Sequence, residues 1–263
     1  MISAFQAEWV RLSDPRVRVW IPLATAVFSA VVGVAVVQLL ATQGSVLGFG
    51  GIRYTAEMFS RTEGPAMLTA RVVMLTGLLT ASLGAFQFAS GFEHGTLRTT
   101  LQRAPSRASL YVGRLLATLG FAAGLAWVAA ACVLASTWLG AAYAGIDTTP
   151  WLLASGVASA FRGALCLTGA AVGFATVGAL FGVILRSSLV AITVAGTVAL
   201  FEGLLASLLP TSWQVLPGQV FAALARGGTE VVSFASSAVF TFLYVLVMAS
   251  IAGWVFCRRD VVA

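Results

Sequence analysis

Residues 72–92 read VVMLTGLLTASLGAFQFASGF, and residues 93–108 continue as EHGTLRTTLQRAPSRA. The first stretch carries no charged side chain over about 20 residues, and at about 1.5 Å per residue a helix of that length crosses a hydrocarbon core of about 30 Å. The second stretch is charged and is followed by another long apolar run. This alternation predicts two membrane helices joined by a short loop at one membrane face.

The composition of the whole chain agrees with this prediction. Of its 263 residues, 59% are hydrophobic and 9% are charged, whereas soluble domains carry roughly 25% charged residues. Uninterrupted apolar runs of about 20 residues exclude a β-barrel, whose strands alternate in segments of about ten. We therefore predict an all-α integral membrane protein.

Six apolar runs predict six transmembrane helices in a single transmembrane domain, residues 1–263. The hydrophobic stretch at 152–185 is longer than one crossing requires and contains Arg162. We therefore start the fourth crossing at Gly163 and expect residues 151–161 near the outer interface. The predicted spans are 19–41, 72–92, 109–139, 163–185, 189–208 and 233–257.

The distribution of arginines orients these helices, because all fifteen basic residues are arginine. With six spans, one side receives Arg11, Arg16, Arg18, Arg98, Arg103, Arg107, Arg114, Arg186, Arg258 and Arg259, and the other receives Arg53, Arg61 and Arg226, while Arg71 and Arg162 lie at helix edges. The positive-inside rule then places both termini and the 93–108 loop in the cytoplasm. We expect the protein in the plasma membrane. Arginines at helix ends favour anionic lipid head groups as partners and argue against nucleic acid.

Two segments outside the spans are amphipathic or half-apolar. In residues 1–18, Phe5, Trp9 and Leu12 share one face, which predicts a helix lying along the membrane surface; a disordered terminus is the alternative. Residues 209–232 surround a half-apolar segment, Gln219 to Ala225, which is too short to cross the membrane and too apolar for a solvated loop, and we predict an external hairpin there.

Within the 93–108 loop, Leu97, Leu101 and Ala104 recur at helical spacing, and Pro105 ends the pattern. A short amphipathic helix here would lie across the inner ends of two spans and transmit a push from a cytoplasmic partner. A positively charged loop that only sets topology explains the same residues equally well.

The loop sequence also resembles that of a known family. The run 92–101, the segment Pro105-Ser106-Arg107 and Arg114 in a Val-Gly-Arg context are similar to the cytoplasmic loop of ABC-2 type transporter permeases, the membrane subunits of bacterial ABC exporters. The N-terminal amphipathic helix resembles their elbow helix, residues 209–232 resemble their external re-entrant hairpin, and residues 256–261 resemble their C-terminus.

The resemblance implies a coupling helix that seats in a groove of a separate ATPase subunit. The residues concerned are Glu93, His94, Gly95, Thr96, Leu97, Arg98, Leu101, Arg103, Pro105, Ser106 and Arg107. It also implies a second copy of this permease or a related one, and export of a cargo by alternating access. Apolar walls favour a hydrophobic or amphipathic cargo. A P-loop requires a lysine, which the chain lacks, so ATP and Mg²⁺ are expected in the partner subunit and no cofactor in this chain.

Polar residues inside the predicted spans suggest further contacts. Arg162 and Glu202 lie near the outer ends of the fourth and fifth spans and are candidates for an ion pair that fixes or gates these helices. The alternative is a snorkelling Arg162 and a protonated or water-exposed Glu202. Gln38 and Gln87 are candidates for hydrogen bonds between helices.

Catalysis and metal binding find little support in the sequence. His94 is the single histidine, and the three cysteines form no paired motif. The acidic residues outside the spans, Glu8 among them, are expected near water and form no carboxylate pair. Rival hypotheses are an ion- or proton-coupled secondary transporter or channel, which needs more membrane carboxylates than Glu202, and an intramembrane enzyme, which needs a catalytic cluster.

Overall fold

The computed structural model describes residues 2–12, 15–47, 53–95, 106–208, 215–229 and 231–258. Its helices are α1 (Ile2–Leu12), α2 (Pro15–Gln43), α3 (Ala56–Phe59), α4 (Gly64–Arg71), α5 (Val73–Glu93), α6 (Arg107–Gly140), α7 (Ala154–Leu185), α8 (Ser188–Leu208), α9 (Pro217–Ala225) and α10 (Phe234–Arg258). The strands β1 (Ser45–Leu47) and β2 (Arg53–Thr55) form an antiparallel hairpin, and a 3-10 turn covers Thr149–Leu152.

Five helices in the described part of the chain are long and apolar enough to cross a membrane: α2 from Arg18 onward, α5, α6, α7 and α10. The fold is therefore that of an all-α, multi-pass membrane protein. The predicted span 189–208 coincides with α8, whose apolar segment Ser188–Ala199 is shorter than a crossing. Several side chains between 200 and 208 lie outside the described residues, so the crossing by α8, the fifth in the predicted order, stays a prediction.

The fourth predicted span is the one whose start differs most from the structure. Helix α7 begins at Ala154, nine residues before Gly163, and Arg162 lies within it as an exposed side chain. Residues 154–161 contain no proline, and a single arginine on the outer face of a helix does not interrupt it. The stretch that we expected along the interface is therefore part of one continuous helix.

Helix α7 lies at the centre of the bundle and contacts α4, α5, α6, α8, α9 and α10. Small residues allow these close helix contacts, most clearly between α7 and α5. A Cβ atom at Gly178 would overlap the carbonyl oxygen of Ala81, and one at Gly84 would overlap that of Ala175. The two backbones therefore touch directly, as is common where small residues line helix interfaces in membranes.

We expect Gly178→Leu to lower the free energy of unfolding by about 3 kcal/mol, because the leucine would force α5 and α7 apart. Gly124→Leu is the matched control, since a Cβ atom at Gly124 in α6 meets no atom within 4 Å, and its effect should stay within about 0.5 kcal/mol. Unfolding in detergent by added dodecyl sulfate measures both values. Equal midpoints for the two variants would show that the close contact is not required.

The bundle has two distinct ends. The hairpin end carries β1, β2, α3, the 3-10 turn and the start of α5, and Trp151 is buried there with its Nε1 donating to the Phe59 carbonyl at 2.8 Å. The loop end carries the C-termini of α5, α7 and α10 and the N-termini of α6 and α8. The chain entering and leaving residues 96–105 therefore lies at the loop end.

Candidate functional site

The C-terminus of helix α5 is capped by a glycine, Gly95, directly before the 96–105 segment. Gly95 has a φ of 65°, in the left-handed region that glycine adopts without strain. Its backbone N–H donates to the Phe92 carbonyl at 3.2 Å, and that of His94 donates to the Ser90 carbonyl at 3.1 Å. The His94 ring Nδ1 also lies 3.0 Å from the Ser90 carbonyl, so this imidazole contacts its own helix.

The carboxylate of Glu93 caps a different helix. The backbone N–H of Ser188, the first residue of α8, donates to Glu93 Oε2 at 2.9 Å. A carboxylate at this position satisfies a free helix N–H and interacts favourably with the positive end of the helix dipole. Next to it, the Arg186 guanidinium lies 5.7 Å from the centre of the Phe92 ring. The end of α5 therefore holds the turn between α7 and α8.

The residues after the loop make a corresponding contact with the last helix. Ser106 caps its own helix α6 by accepting a hydrogen bond from the Ser109 N–H at 3.1 Å. Arg107 Nη1 donates to the carbonyl of Cys257, near the end of α10, at 3.3 Å. A cation at a helix C-terminus is favoured by the helix dipole. Both flanks of residues 96–105 are thus tied to the end of another helix.

Part of the predicted coupling segment lies outside the described residues. Glu93, His94, Gly95, Ser106 and Arg107 are described at its two flanks. The candidates Thr96, Leu97, Arg98, Leu101, Arg103 and Pro105 fall in the 96–105 gap, together with the amphipathic helix predicted there.

An aromatic cluster lies directly beneath the two flanks. Phe88 of α5, Tyr111 of α6 and Phe256 of α10 have ring centres 5.6 to 6.4 Å apart, within the range of favourable aromatic pairs. The Tyr111 hydroxyl donates to the Ala249 carbonyl of α10 at 2.6 Å. This cluster joins the two helices that flank the loop to the C-terminal helix.

Helix α1 is attached to the bundle by a buried ion pair. Arg114 of α6 donates to Glu8 Oε1 from Nε at 3.0 Å and from Nη2 at 2.7 Å. Their side chains are only 1% and 5% exposed, respectively. The expectation that Glu8 lies near water was therefore wrong. Glu8 follows Phe5 by three residues and precedes Leu12 by four, which places it on the face that packs against α6.

The three predicted elbow residues do not all pack alike. Leu12 is buried, and Phe5 packs partly against the same cluster. Trp9 is 42% exposed, and its ring stacks on Phe5 at 5.7 Å between centres. Glu8 is therefore buried against α6 together with Leu12, while Trp9 of the predicted apolar face stays partly exposed.

The hypothesis that Arg162 pairs with Glu202 is not what the structure describes. Glu202 Oε2 instead accepts a hydrogen bond at 2.6 Å from the N–H of Gly218, in the first turn of α9. The free N–H groups at a helix N-terminus attract a carboxylate. Glu202 therefore fixes α9 to α8, while the Arg162 side chain is exposed.

The two glutamines predicted to bond between helices differ in their surroundings. Gln87 is 2% exposed, and its Nε2 has no hydrogen-bond partner among the described residues. Gln38 lies on the exposed side of α2. The predicted hydrogen bonds between helices are not among those that the structure describes.

The described bundle, with its five helices able to cross a membrane, defines the class as a multi-pass membrane protein. Residues 27–262 match the family described as protein of unknown function (DUF2705). The chain therefore belongs to the DUF2705 family. No curated protein matches it at a significant level.

Proposed function

We propose that this chain is the transmembrane subunit of an ATP-driven ABC exporter. The observation that carries the proposal is the anchoring of the loop flanks: Glu93 holds the start of α8, and Arg107 holds the end of α10. A force applied to residues 96–105 would act on both helices at once. This mechanical connection, together with the resemblance of the loop sequence to ABC-2 type permeases, supports a coupling role for residues 93–107.

The proposed topology has six spans, with α8 as the fifth and both termini in the cytoplasm. The loop end then faces the cytoplasm, where a separate ATPase subunit contacts residues 93–107. The absence of lysine from the chain excludes a P-loop, so ATP and Mg²⁺ bind to that subunit and this chain needs no cofactor. The hairpin end, including α9 as part of an external re-entrant segment, faces the opposite side.

Helix α1 acts as the elbow helix in this arrangement. The Glu8–Arg114 pair fixes it to α6, seven residues after Arg107. Movement of the loop flank therefore reaches α1 through the first turns of α6. The ATPase subunit would meet two connected elements, the coupling segment and α1, and would move them together.

The cargo path is proposed to lie between two permease subunits, either two copies of this chain or this chain and a related one. Large apolar side chains are exposed along α2 and α10, including Val27, Val31, Leu243 and Val247. Such surfaces suit lipid or a second permease and favour a hydrophobic or amphipathic cargo. Closure of the ATPase pair would open the path alternately to the two sides of the membrane.

Co-expression with an ATP-binding-cassette ATPase from the same genome tests the proposal. We expect the two proteins to purify together from detergent and to catalyse ATP-dependent transport in vesicles. An ATPase whose P-loop lysine is replaced by alanine should still associate but should not drive transport. A chain that never associates with the ATPase, and whose transport is abolished by a protonophore, would identify a secondary transporter instead.

A further inference from the structure

The last three turns of α10 expose a continuous stripe of side chains at the loop end. Val247, Ile251, Trp254 and Arg258 follow one another at helical spacing, so they share one face. The three apolar members are exposed, Trp254 to 58%, and Arg258 is exposed as well. Phe256, on the opposite side of the same turns, is buried in the aromatic cluster. One side of this helix end therefore packs against the bundle, and the other has no cover within the part of the chain that the structure describes.

Arg258 stacks on the tryptophan one turn before it. Its guanidinium carbon lies 4.6 Å from the centre of the Trp254 ring, a distance typical of cation–π contacts. Stacking fixes the plane of the guanidinium, and the N–H groups at its edge can bind the paired oxygens of a phosphate. The stripe therefore ends in an oriented cation directly beside an exposed aromatic ring.

The stripe has the length of one membrane leaflet. The candidate span Phe234–Arg258 ends at Arg258. At about 1.5 Å per residue, Val247 and Arg258 lie about 16 Å apart along the helix axis, roughly half of a hydrocarbon core of about 30 Å. Tryptophan is favoured at the membrane interface, and a long arginine side chain there reaches the head groups. Trp254 and Arg258 therefore mark the head-group level, and Val247 and Ile251 lie at the depth of acyl chains.

A second guanidinium lies near the end of the same helix. Arg107 Nη1 donates to the carbonyl of Cys257 at 3.3 Å, one residue before Arg258. The C-terminus of a helix carries the equivalent of about half a negative charge. Two arginines exceed that charge, so the described residues at this end of α10 are positive overall.

Described acidic side chains at the loop end have other contacts. Glu93 accepts a hydrogen bond at the start of α8, and Glu8 binds Arg114. Asp260, two positions beyond Arg258, lies outside the described residues and is therefore included in the test below. The charge around the stripe thus complements an anionic ligand.

We propose that this stripe is a docking surface for one anionic phospholipid, whose phosphate binds Arg258 and whose acyl chain lies along the apolar side chains. Charge decides between this occupant and a second copy of the chain. In a dimer with its axis along the membrane normal, packing α10 against α10 would place two Arg258 side chains at the same depth, where they repel each other. A lipid with net negative charge is attracted instead. The proposal does not depend on a transport function, so a lipid-binding assay and a transport assay can fail independently.

Quenching of Trp254 fluorescence by brominated acyl chains tests the docking surface. The protein is reconstituted in vesicles with equal amounts of phosphatidylcholine and phosphatidylglycerol, and the bromine is carried by one lipid or by the other. The surface charge is then the same in both preparations. The Trp254 signal is the difference between wild type and Trp254→Phe. We expect phosphatidylglycerol to be favoured at Trp254 about fivefold, the effect of one arginine near an anionic lipid.

Two arginine variants at the same end of the bundle make the test local. Arg258→Gln should reduce the preference for phosphatidylglycerol to less than about twofold, and because Arg258 is exposed the variant should fold. Arg186→Gln is the matched control. It removes the same charge, but the Arg186 guanidinium lies over the Phe92 ring, on the Phe256 side of α10, and the preference should persist. Arg258→Lys keeps the charge and should retain more of the preference than Arg258→Gln.

Four results would overturn the proposal. The first is equal quenching by the two brominated lipids in wild type, and the second is an unchanged preference in Arg258→Gln. The third is a Trp254 that neither lipid quenches, because a protein partner would then cover the stripe. The fourth is a preference that appears only in Asp260→Asn, because Asp260 would then occupy Arg258 in the wild-type chain.

Discussion

Glu8→Ala is expected to lower the free energy of unfolding by about 3–5 kcal/mol, the range for removing one partner of a buried ion pair. The reason is the position of Arg114, which is 1% exposed and would be left with a charge facing an apolar cavity. Mutual attraction between the two side chains contributes less than this, because bringing both charges out of water is itself costly.

Two comparisons separate these effects. The double variant Glu8→Leu with Arg114→Met replaces both charges by apolar side chains and should recover most of the lost stability. Glu57→Ala removes the partner of Arg61 in a pair whose side chains are 66% and 81% exposed, and it should cost less than about 1 kcal/mol.

Dodecyl sulfate titration in detergent measures the free energy of unfolding of all three variants. Hydrogen exchange of α1 reports whether that helix detaches first. Since α1 contacts α6 and Glu8 is on its packed face, we expect faster exchange in residues 2–12 of Glu8→Ala. A Glu8→Ala protein that is as stable as Glu57→Ala, with unchanged exchange in α1, would contradict the role assigned to this pair.

The apolar runs were sufficient to predict most of the helices. Helices α5, α6 and α10 begin and end within two residues of the predicted spans, because uncharged runs of about 20 residues have few alternatives to a membrane helix. The continuity of α7 from Ala154 was not predicted, because Arg162 was interpreted as the boundary between an interfacial stretch and the fourth crossing. On the exposed side of a long helix, an arginine carries no such meaning.

The sequence pattern around Glu8 and Arg114 indicates a buried pair, but it can also be interpreted differently. Glu8 lies at helical spacing from Phe5 and Leu12, and Arg114 lies inside a long apolar run. Each charge is costly in its apolar surroundings, and the two costs can be reduced only by pairing. The sequence does not place α1 beside α6, however, and this pairing spans 106 positions.

Contacts with helix ends were the least predictable part of the site. Arg162 was one candidate partner for Glu202, because both were expected near the outer ends of adjacent spans. Its actual contact, the N–H of Gly218, depends on α9 folding back toward α8. Backbone donors carry no signal in the sequence, so neither this cap nor the capping of Ser188 by Glu93 was predictable.

Under the proposed function, Glu93→Ala and Arg107→Ala should each reduce ATP-driven transport by about 10- to 100-fold while association with the ATPase subunit is retained. Coupling between two sites typically changes a response by about 5- to 150-fold, and the expected loss lies in that range. The first variant frees the start of α8, and the second frees the end of α10. Motion of residues 96–105 would then reach α8 less directly in the first variant and α10 less directly in the second.

Arg61→Ala is the matched control, because Arg61 is an exposed arginine that pairs with Glu57 at the hairpin end, away from residues 93–107. This control variant should drive ATP-dependent transport at the wild-type rate. Glu93→Gln keeps a carbonyl oxygen for the Ser188 N–H and should retain more transport than Glu93→Ala. If both alanine variants bind the ATPase and transport at the wild-type rate, the flanks do not transmit force. If they instead lose the ATPase, Glu93 and Arg107 contact the partner directly, and the caps on α8 and α10 are not the coupling elements.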